Sequence, residues 1–201
     1  MASIGLVVLT PLFLVVAVTI FVVDGWPVLF VHHRVGRGGR EFPIVKFRTM
    51  VRDMPKYAPK VAEGDPRITG LGRFLRHTNI DELPQLLNVL VGHMSLIGPR
   101  PEQPFIVDDY EPWQHGRHHV RPGITGPWQA LGRLRPLEES TDLDVEYIRR
   151  RSLGLDMWIA WRTLLYLLRL HRPLAPPTPT HRETTALWRV AAGAPREDVS
   201  A

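Results

Sequence analysis

The sequence predicts a mainly α-helical fold with one small β-hairpin, an α+β chain whose first segment is embedded in a membrane. Three observations carry this. Residues 4–23 hold no charge, and only Gly5, Thr10, Pro11 and Thr19 interrupt a run of large apolar residues and Ala. Residues 28–35 and 41–47 are two strand-like runs around Gly36-Arg37-Gly38-Gly39, a hairpin signal with a long turn. Much of the chain between residues 71 and 170 carries helical periodicity.

A straight helix over the uncharged segment would run ~30 Å, about one hydrocarbon thickness. A cleaved signal peptide fits poorly, because no basic residue precedes the segment and residues 17–24 offer no small-x-small cleavage site. Thr10-Pro11 predicts a break in the membrane helix. Pro11 cannot donate to the carbonyl of Val7, while the Thr10 hydroxyl can serve a freed backbone oxygen. On these residues alone a kinked spanning helix and a re-entrant one are both open. Arg34, Arg37, Arg40, Lys46 and Arg48 crowd the C-terminal flank only, which predicts that the rest of the chain faces the cytoplasm.

The glycines of the hairpin turn do not follow a strand-to-helix pattern, so a phosphate-cradling loop is the weaker reading. Residues 51–64 read as a loop or short helix, and residues 71–77 and 80–91 as helices. Gly98-Pro99-Arg100-Pro101 holds one Arg on a stiff loop, and residues 121–127 form a second rigid turn. Residues 141–150 and 153–170 read as helices. In the latter, Trp158 and Trp161 lie one turn apart, and Arg162, Thr163 and Arg169 gather on one narrow side. That pattern suits a helix lying in a membrane interface, or else a core helix of the domain. Three regions follow: a membrane segment over 1–24, a domain over 25–171 with the interfacial helix at 153–170, and a Pro-rich tail over 172–201 read as disordered.

The 201 residues carry 25 Lys+Arg and 20 Asp+Glu, a net charge of +5. All but Lys46, Lys56 and Lys60 of the basic residues are Arg, the side chain suited to bidentate phosphate recognition, so an anionic partner is expected. The longest basic run is Arg149-Arg150-Arg151, which is no nucleic-acid arm. With no Cys, disulfide scaffolds, thiolate zinc sites, iron–sulfur clusters and thiolate catalysis are excluded.

Asp81-Glu82 is the sharpest candidate for chemistry. Adjacent carboxylates can share a divalent cation, and a carboxylate near cations is a nucleophile toward phosphorus. The competing reading is a capping box, Asn79-x-x-Glu82, at a helix start. Lys46 and Arg48 stand two apart on the second strand-like run and should share a face. Arg100 is pinned between prolines, and Arg67 and Arg76 flank the acid pair. Together they would suit a diphosphate; singly each reads as a solvated or salt-bridged residue. His115, His118 and His119 have loosely metal-like spacing but lack a further matching ligand, so surface or hydrogen-bonded histidines are expected.

Five stretches then occur in order: Lys46-Phe47-Arg48-Thr49-Met50, Asp65-Pro66-Arg67-Ile68-Thr69, Asp81-Glu82-Leu83-Pro84-Gln85-Leu86-Leu87-Asn88-Val89, Met94-Ser95-Leu96-Ile97-Gly98-Pro99-Arg100-Pro101 and Arg121-Pro122-Gly123-Ile124-Thr125-Gly126. With them the chain resembles the bacterial sugar transferases, monotopic polyprenyl-phosphate phosphoglycosyltransferases. The resemblance implies transfer of a sugar 1-phosphate from a UDP-sugar to polyprenyl (undecaprenyl) phosphate, with release of UMP. Asp81 would be the nucleophile that forms an aspartyl-phosphosugar, and Glu82 its partner acid, the pair holding Mg²⁺. Lys46, Arg48, Arg67, Arg76, Arg100 and Arg121 would serve the phosphates. Thr10-Pro11 corresponds to the family's helix break and implies a re-entrant helix at the bacterial inner membrane, with the catalytic domain on the cytoplasmic side. The implied partners are these two substrates and the lipid bilayer, not nucleic acid, and a homodimer is compatible with them. His93 and Pro127-Trp128 depart from the family's usual residues, and the chain starts inside the membrane helix, without the basic segment that normally precedes it. The competing class is a non-catalytic, membrane-anchored basic module or scaffold.

Overall fold

A helix that is apolar on every side has no face of its own to bury, so packing chooses one. In the computed structural model, which describes residues 2–53, 64–131 and 140–168, α1 (Ala2–Val23) makes that choice along most of its length. Val16 and Ile20 join Phe47 and Leu75 in a buried cluster, flanked by Leu12, Phe13 and Ala17. Nearer the N-terminus, Gly5 packs against Leu86. The opposite side leaves Val7 74 % exposed, with Val8, Val15 and Val22 close behind, a surface that water does not suit. The helix runs unbroken through Pro11. Thr10 donates its hydroxyl to the carbonyl of Leu6 at 2.8 Å, not to the Val7 carbonyl that Pro11 leaves free.

The hairpin pairs β1 (Leu29–Val35) with β2 (Glu41–Phe47) antiparallel, Phe30 opposite Lys46 and His32 opposite Ile44. Residues directly opposite share a face, so Phe30, His32, Arg34, Ile44 and Lys46 lie on one side of it. Helix α2 (Gly70–Thr78) follows, with Thr69 as N-cap accepting from the amide of Gly72. The predicted helix over 80–91 is divided. Pro84 has no N–H to extend helical bonding back to Ile80, so Ile80–Glu82 tightens into a 3₁₀ turn and α3 (Gln85–Leu90) starts after it. Asn88 clamps α3 to the hairpin: its amide donates to the carbonyl of Pro43 at 2.6 Å and its oxygen accepts from the N–H of Val45 at 3.1 Å. Asn88→Ala is expected to leave two strand groups unpaired and to cost about 1–3 kcal/mol, read as a lower Tm.

A second sheet was not foreseen from the sequence. β3 (Ser95–Ile97) runs parallel to β4 (Gly123–Thr125). The two Gly/Pro stretches are therefore close-approach surfaces more than turns. A Cβ on Gly123 would fall 2.2 Å from the nitrogen of Gly98, and one on Gly126 would fall 2.0 Å from its carbonyl oxygen. Between the strands lie the short helix α4 (Pro104–Val107) and a 3₁₀ helix, Pro112–His119.

The last layer is α5 (Pro127–Ala130), α6 (Thr141–Arg150) and α7 (Leu153–Leu167) around Ala130, Leu143, Tyr147, Leu155 and Ile159. Helix α7 is apolar on both sides: Leu155 and Ile159 fill the core, with two polar residues beside them. Thr163 meets Thr125 at 2.6 Å, and Arg162 is buried with its Nε 3.4 Å from the carbonyl of Ala130. Leu153, Met157, Trp161, Leu164 and Leu168 form the exposed stripe. Arg162 and Thr163 thus turn inward beside the buried Leu155 and Ile159, and the stripe left outward is wholly apolar, as a lipid neighbour would require. Arg169, most of the 51–64 stretch and the 172–201 tail lie outside the described residues.

Candidate active site

Asn79 ends α2 in the left-handed conformation (φ 56°), where Asn is better tolerated than most residues. With the break at Pro84 this turns the chain twice within a few residues, and Asp81-Glu82 sits on the elbow. Glu82 does not cap Asn79: no side-chain cap bond forms there. Its carboxylate instead receives Lys46 from the end of β2, Nζ to Oε1 at 2.7 Å. Arg100 forks onto the same group, Nη2 to Oε1 at 2.5 Å and Nη1 to Oε2 at 3.1 Å. The Arg100 guanidinium also lies 5.8 Å from the ring centre of Trp128. The hairpin, the elbow, the loop after β3 and α5 therefore converge on one carboxylate.

Its neighbour is placed differently. Asp81 is 8 % exposed, and among the described residues its carboxylate receives no hydrogen bond. Burial and the adjacent Glu82 charge push its pKa up, against the pull of Lys46, Arg76 and Arg100. Burial also acts to raise Glu82, but Arg100 and Lys46 outweigh it and hold that carboxyl well below the usual range. Burial lowers the Lys46 pKa despite the pull of Glu82. Two adjacent acids are thus driven apart: one is a fixed anion saturated with cations, the other an uncommitted carboxylate. That division fits a charge-holding role for Glu82 and a nucleophilic one for Asp81.

The other residues singled out from the sequence scatter. Arg76 points its Nε to the Thr49 hydroxyl at 2.8 Å and acts on Asp81 through its charge. Arg48 lies just past the end of β2 and closes the end of α1, donating to the carbonyls of Asp24 at 2.6 Å and Gly25 at 2.7 Å. The shared face expected for Lys46 and Arg48 is therefore lost. Arg67 is bound bidentately by Asp65 on the surface, and Arg121 lies over Gly92 after α3. Among the described residues no group of three or more His or acidic side chains could hold a metal. His118 is buried and stacks on Tyr110 at 6.1 Å. A divalent cation would have to rely on Asp81, on Glu82 once its cations shift to a ligand, and on ligand oxygens. This sparse carboxylate set is the kind Mg²⁺ accepts. Trp128 and Asn88 carried no sequence signal for their roles; Asn88 lies inside the Asp81–Val89 stretch, but its clamp is visible only in three dimensions.

An acid pair ringed by cations stands here on a mainly helical scaffold whose first and last helices leave apolar residues outward. The chain belongs to the bacterial sugar transferase family, whose model matches residues 1–170. It is 41% identical over 175 residues to the UDP-N-acetylgalactosamine-undecaprenyl-phosphate N-acetylgalactosaminephosphotransferase of Aeromonas hydrophila, covering 83% of this chain and 41% of that one. It is 44% identical over 170 residues to the UDP-glucose:undecaprenyl-phosphate glucose-1-phosphate transferase of Caulobacter vibrioides, covering 79% and 63%. The exopolysaccharide production protein PSS of Rhizobium leguminosarum bv. phaseoli is 37% identical over 175 residues, covering 80% and 88%. The chain thus spans about two fifths of the Aeromonas relative and most of the Rhizobium one.

Proposed function

We propose that this protein transfers a sugar 1-phosphate from a UDP-sugar to undecaprenyl phosphate in two steps. The observation that carries the reading is the uncommitted Asp81 carboxylate beside a Glu82 held by Lys46 and Arg100. In the first step an Asp81 oxygen bonds to the β-phosphorus, the bridging P–O bond to the α-phosphate breaks, and UMP leaves with that oxygen and the electron pair. In the second, a phosphate oxygen of the lipid attacks the same phosphorus and the Asp81–phosphorus bond breaks, restoring the carboxylate. Phosphoryl transfer asks mainly for alignment and charge neutralisation, which Lys46, Arg76 and Arg100 can supply. Mg²⁺, held by Asp81 with help from Glu82, would neutralise phosphate charge as a Lewis acid.

The test incubates purified protein and Mg²⁺ with UDP-glucose or UDP-N-acetylgalactosamine, with and without undecaprenyl phosphate. Expected are UMP release, a protein mass increase equal to one sugar phosphate when the acceptor is absent, and its disappearance on adding the acceptor. UMP release with no protein-bound sugar phosphate would refute the two-step course.

The same reading puts the site at the cytoplasmic face of the bacterial inner membrane, with α1 re-entrant as an oblique, unbroken helix whose two ends lie on that face, not as one that turns back at the break expected at Pro11. Contact of α1 with the domain from Gly5 to Ile20 supports this, because a spanning α1 would draw Leu86 and the acid elbow toward the far headgroups. The chain has no Cys, so Ser3→Cys gives a single label site. In whole cells an impermeant maleimide should leave it unlabelled until the inner membrane is opened; labelling from the periplasm would refute re-entrance.

A further inference from the structure

We infer that Arg117 and Asp144 form a buried positioning device that aims Arg100 at the reacting phosphates, an inference resting on the function proposed above. Arg117, in the 3₁₀ helix Pro112–His119, is 3 % exposed, and Asp144, on α6, is fully buried. The Arg117 Nη2 donates to the backbone carbonyl of Arg100 at 2.6 Å and lies 2.6 Å from the Asp144 Oδ2, while Nη1 donates to the Tyr110 hydroxyl. Neither Asp144 oxygen has an aligned hydrogen bond, so the two groups meet chiefly as charges. One residue earlier, the carbonyl of Pro99 accepts from the amide of Gly123 at 2.9 Å. The loop is therefore held on consecutive carbonyls, by β4 and by Arg117. From this fixed backbone the Arg100 side chain runs past Trp128 onto Glu82.

Stability alone does not account for this arrangement. A buried ion pair is often no better than an apolar pair of similar volume. The guanidinium, however, can meet a carbonyl, a hydroxyl and a carboxylate at once, which an apolar side chain or a Lys cannot do in the same plane. The pair also ties Arg100 to α6, the helix that leads directly into α7 with its outward apolar stripe. Arg117 and Asp144 are positioning residues and touch no substrate.

The experiment uses the full chain with UDP-glucose or UDP-N-acetylgalactosamine plus undecaprenyl phosphate. It compares wild type, Arg117→Lys, Asp144→Asn, Arg100→Lys and the two doubles with Arg100→Lys, recording kcat from UMP release and Tm for each. Arg117→Lys and Asp144→Asn are each expected to lower kcat about tenfold, the scale of a misplaced catalytic group. On the Arg100→Lys background each should add less than about twofold, because groups acting through one another are not additive. Losses that multiply, or a wild-type kcat in both single variants whatever their Tm, would overturn the inference while leaving the proposed reaction standing. If Arg117→Lys fails to fold, Asp144→Asn, which keeps the side-chain volume, decides in the same way. A wild-type protein inert toward both nucleotides would overturn the reaction and the positioning role with it.

Discussion

Asp81→Asn is expected to lower UMP release by more than ~10³-fold, because Asn offers no oxygen able to form and then release the phosphoryl bond. The loss should come without a loss of fold. Burial and the neighbouring Glu82 charge hold the Asp81 carboxyl above the ordinary range, so the folded pKa exceeds the unfolded one. Stability from such a group is fully present below its unfolded pKa and is lost as pH rises through the folded pKa. At neutral pH the ionised Asp81 is therefore a cost to the fold, and Asn removes it. The variant should melt at or above the wild-type Tm while being inactive. The wild-type rate should fall as pH drops through a limb lying above that of an ordinary aspartate, since the protonated carboxyl is no nucleophile. A variant that keeps wild-type turnover would refute the role of Asp81.

The parts of this fold written in local pattern were legible in the sequence, and the parts decided by what lies opposite were not. Both hairpin strands and α6 follow from alternation and helical period, and their bounds agree with the structure to within a residue. The parallel pair of β3 and β4 has only three residues per strand in Gly/Pro-rich segments, so no period could announce it. Its glycines read as turns because a close approach between distant segments leaves the same mark as a positive φ. The site divides in the same way. Asp81, Glu82, Lys46 and Arg100 come together as their stretches suggested, whereas Arg48 and Arg67 carry the same residue type but lie where the chain has turned away. The predicted shared face of Lys46 and Arg48 fails because β2 ends at Phe47 and alternation has no meaning beyond a strand. Helix α7 shows how the surrounding medium enters. Arg162 and Thr163 do lie on one side, but Leu155 and Ile159 fill the core beside them, so apolar residues face both the domain and the outside and only packing decides which go where.

Glu82→Gln should have the opposite signature to Asp81→Asn, one position away. Glu82 is the counter-charge for both Lys46 and Arg100, and each side chain of the trio is only 15–21% exposed. A neutral amide leaves two nearly buried cations without their hydrogen-bonded counter-charge, at a cost of about 3 kcal/mol, the lower end for breaking a buried pair because the Asp81 charge remains nearby and the site is not sealed. It also frees the Arg100 fork, so the rate should fall about 10²–10³-fold, the scale of losing one preorganised electrostatic group. Arg100 and Lys46, outweighing burial, hold the Glu82 pKa well below its ordinary value. Its stabilising contribution is therefore complete above the unfolded pKa and is lost as pH falls toward the folded one. The Tm gap between wild type and Glu82→Gln should be full at neutral pH and close only below the ordinary glutamate range. Paired with the equal or higher Tm of Asp81→Asn, this makes a sharp test of the division of labour. If the elbow were an ordinary capped helix start, both substitutions would cost similar small amounts of stability. If Glu82 anchors the cations and Asp81 is kept free for the phosphorus, thermal stability must fall for Glu82→Gln and hold or rise for Asp81→Asn, while turnover falls in both.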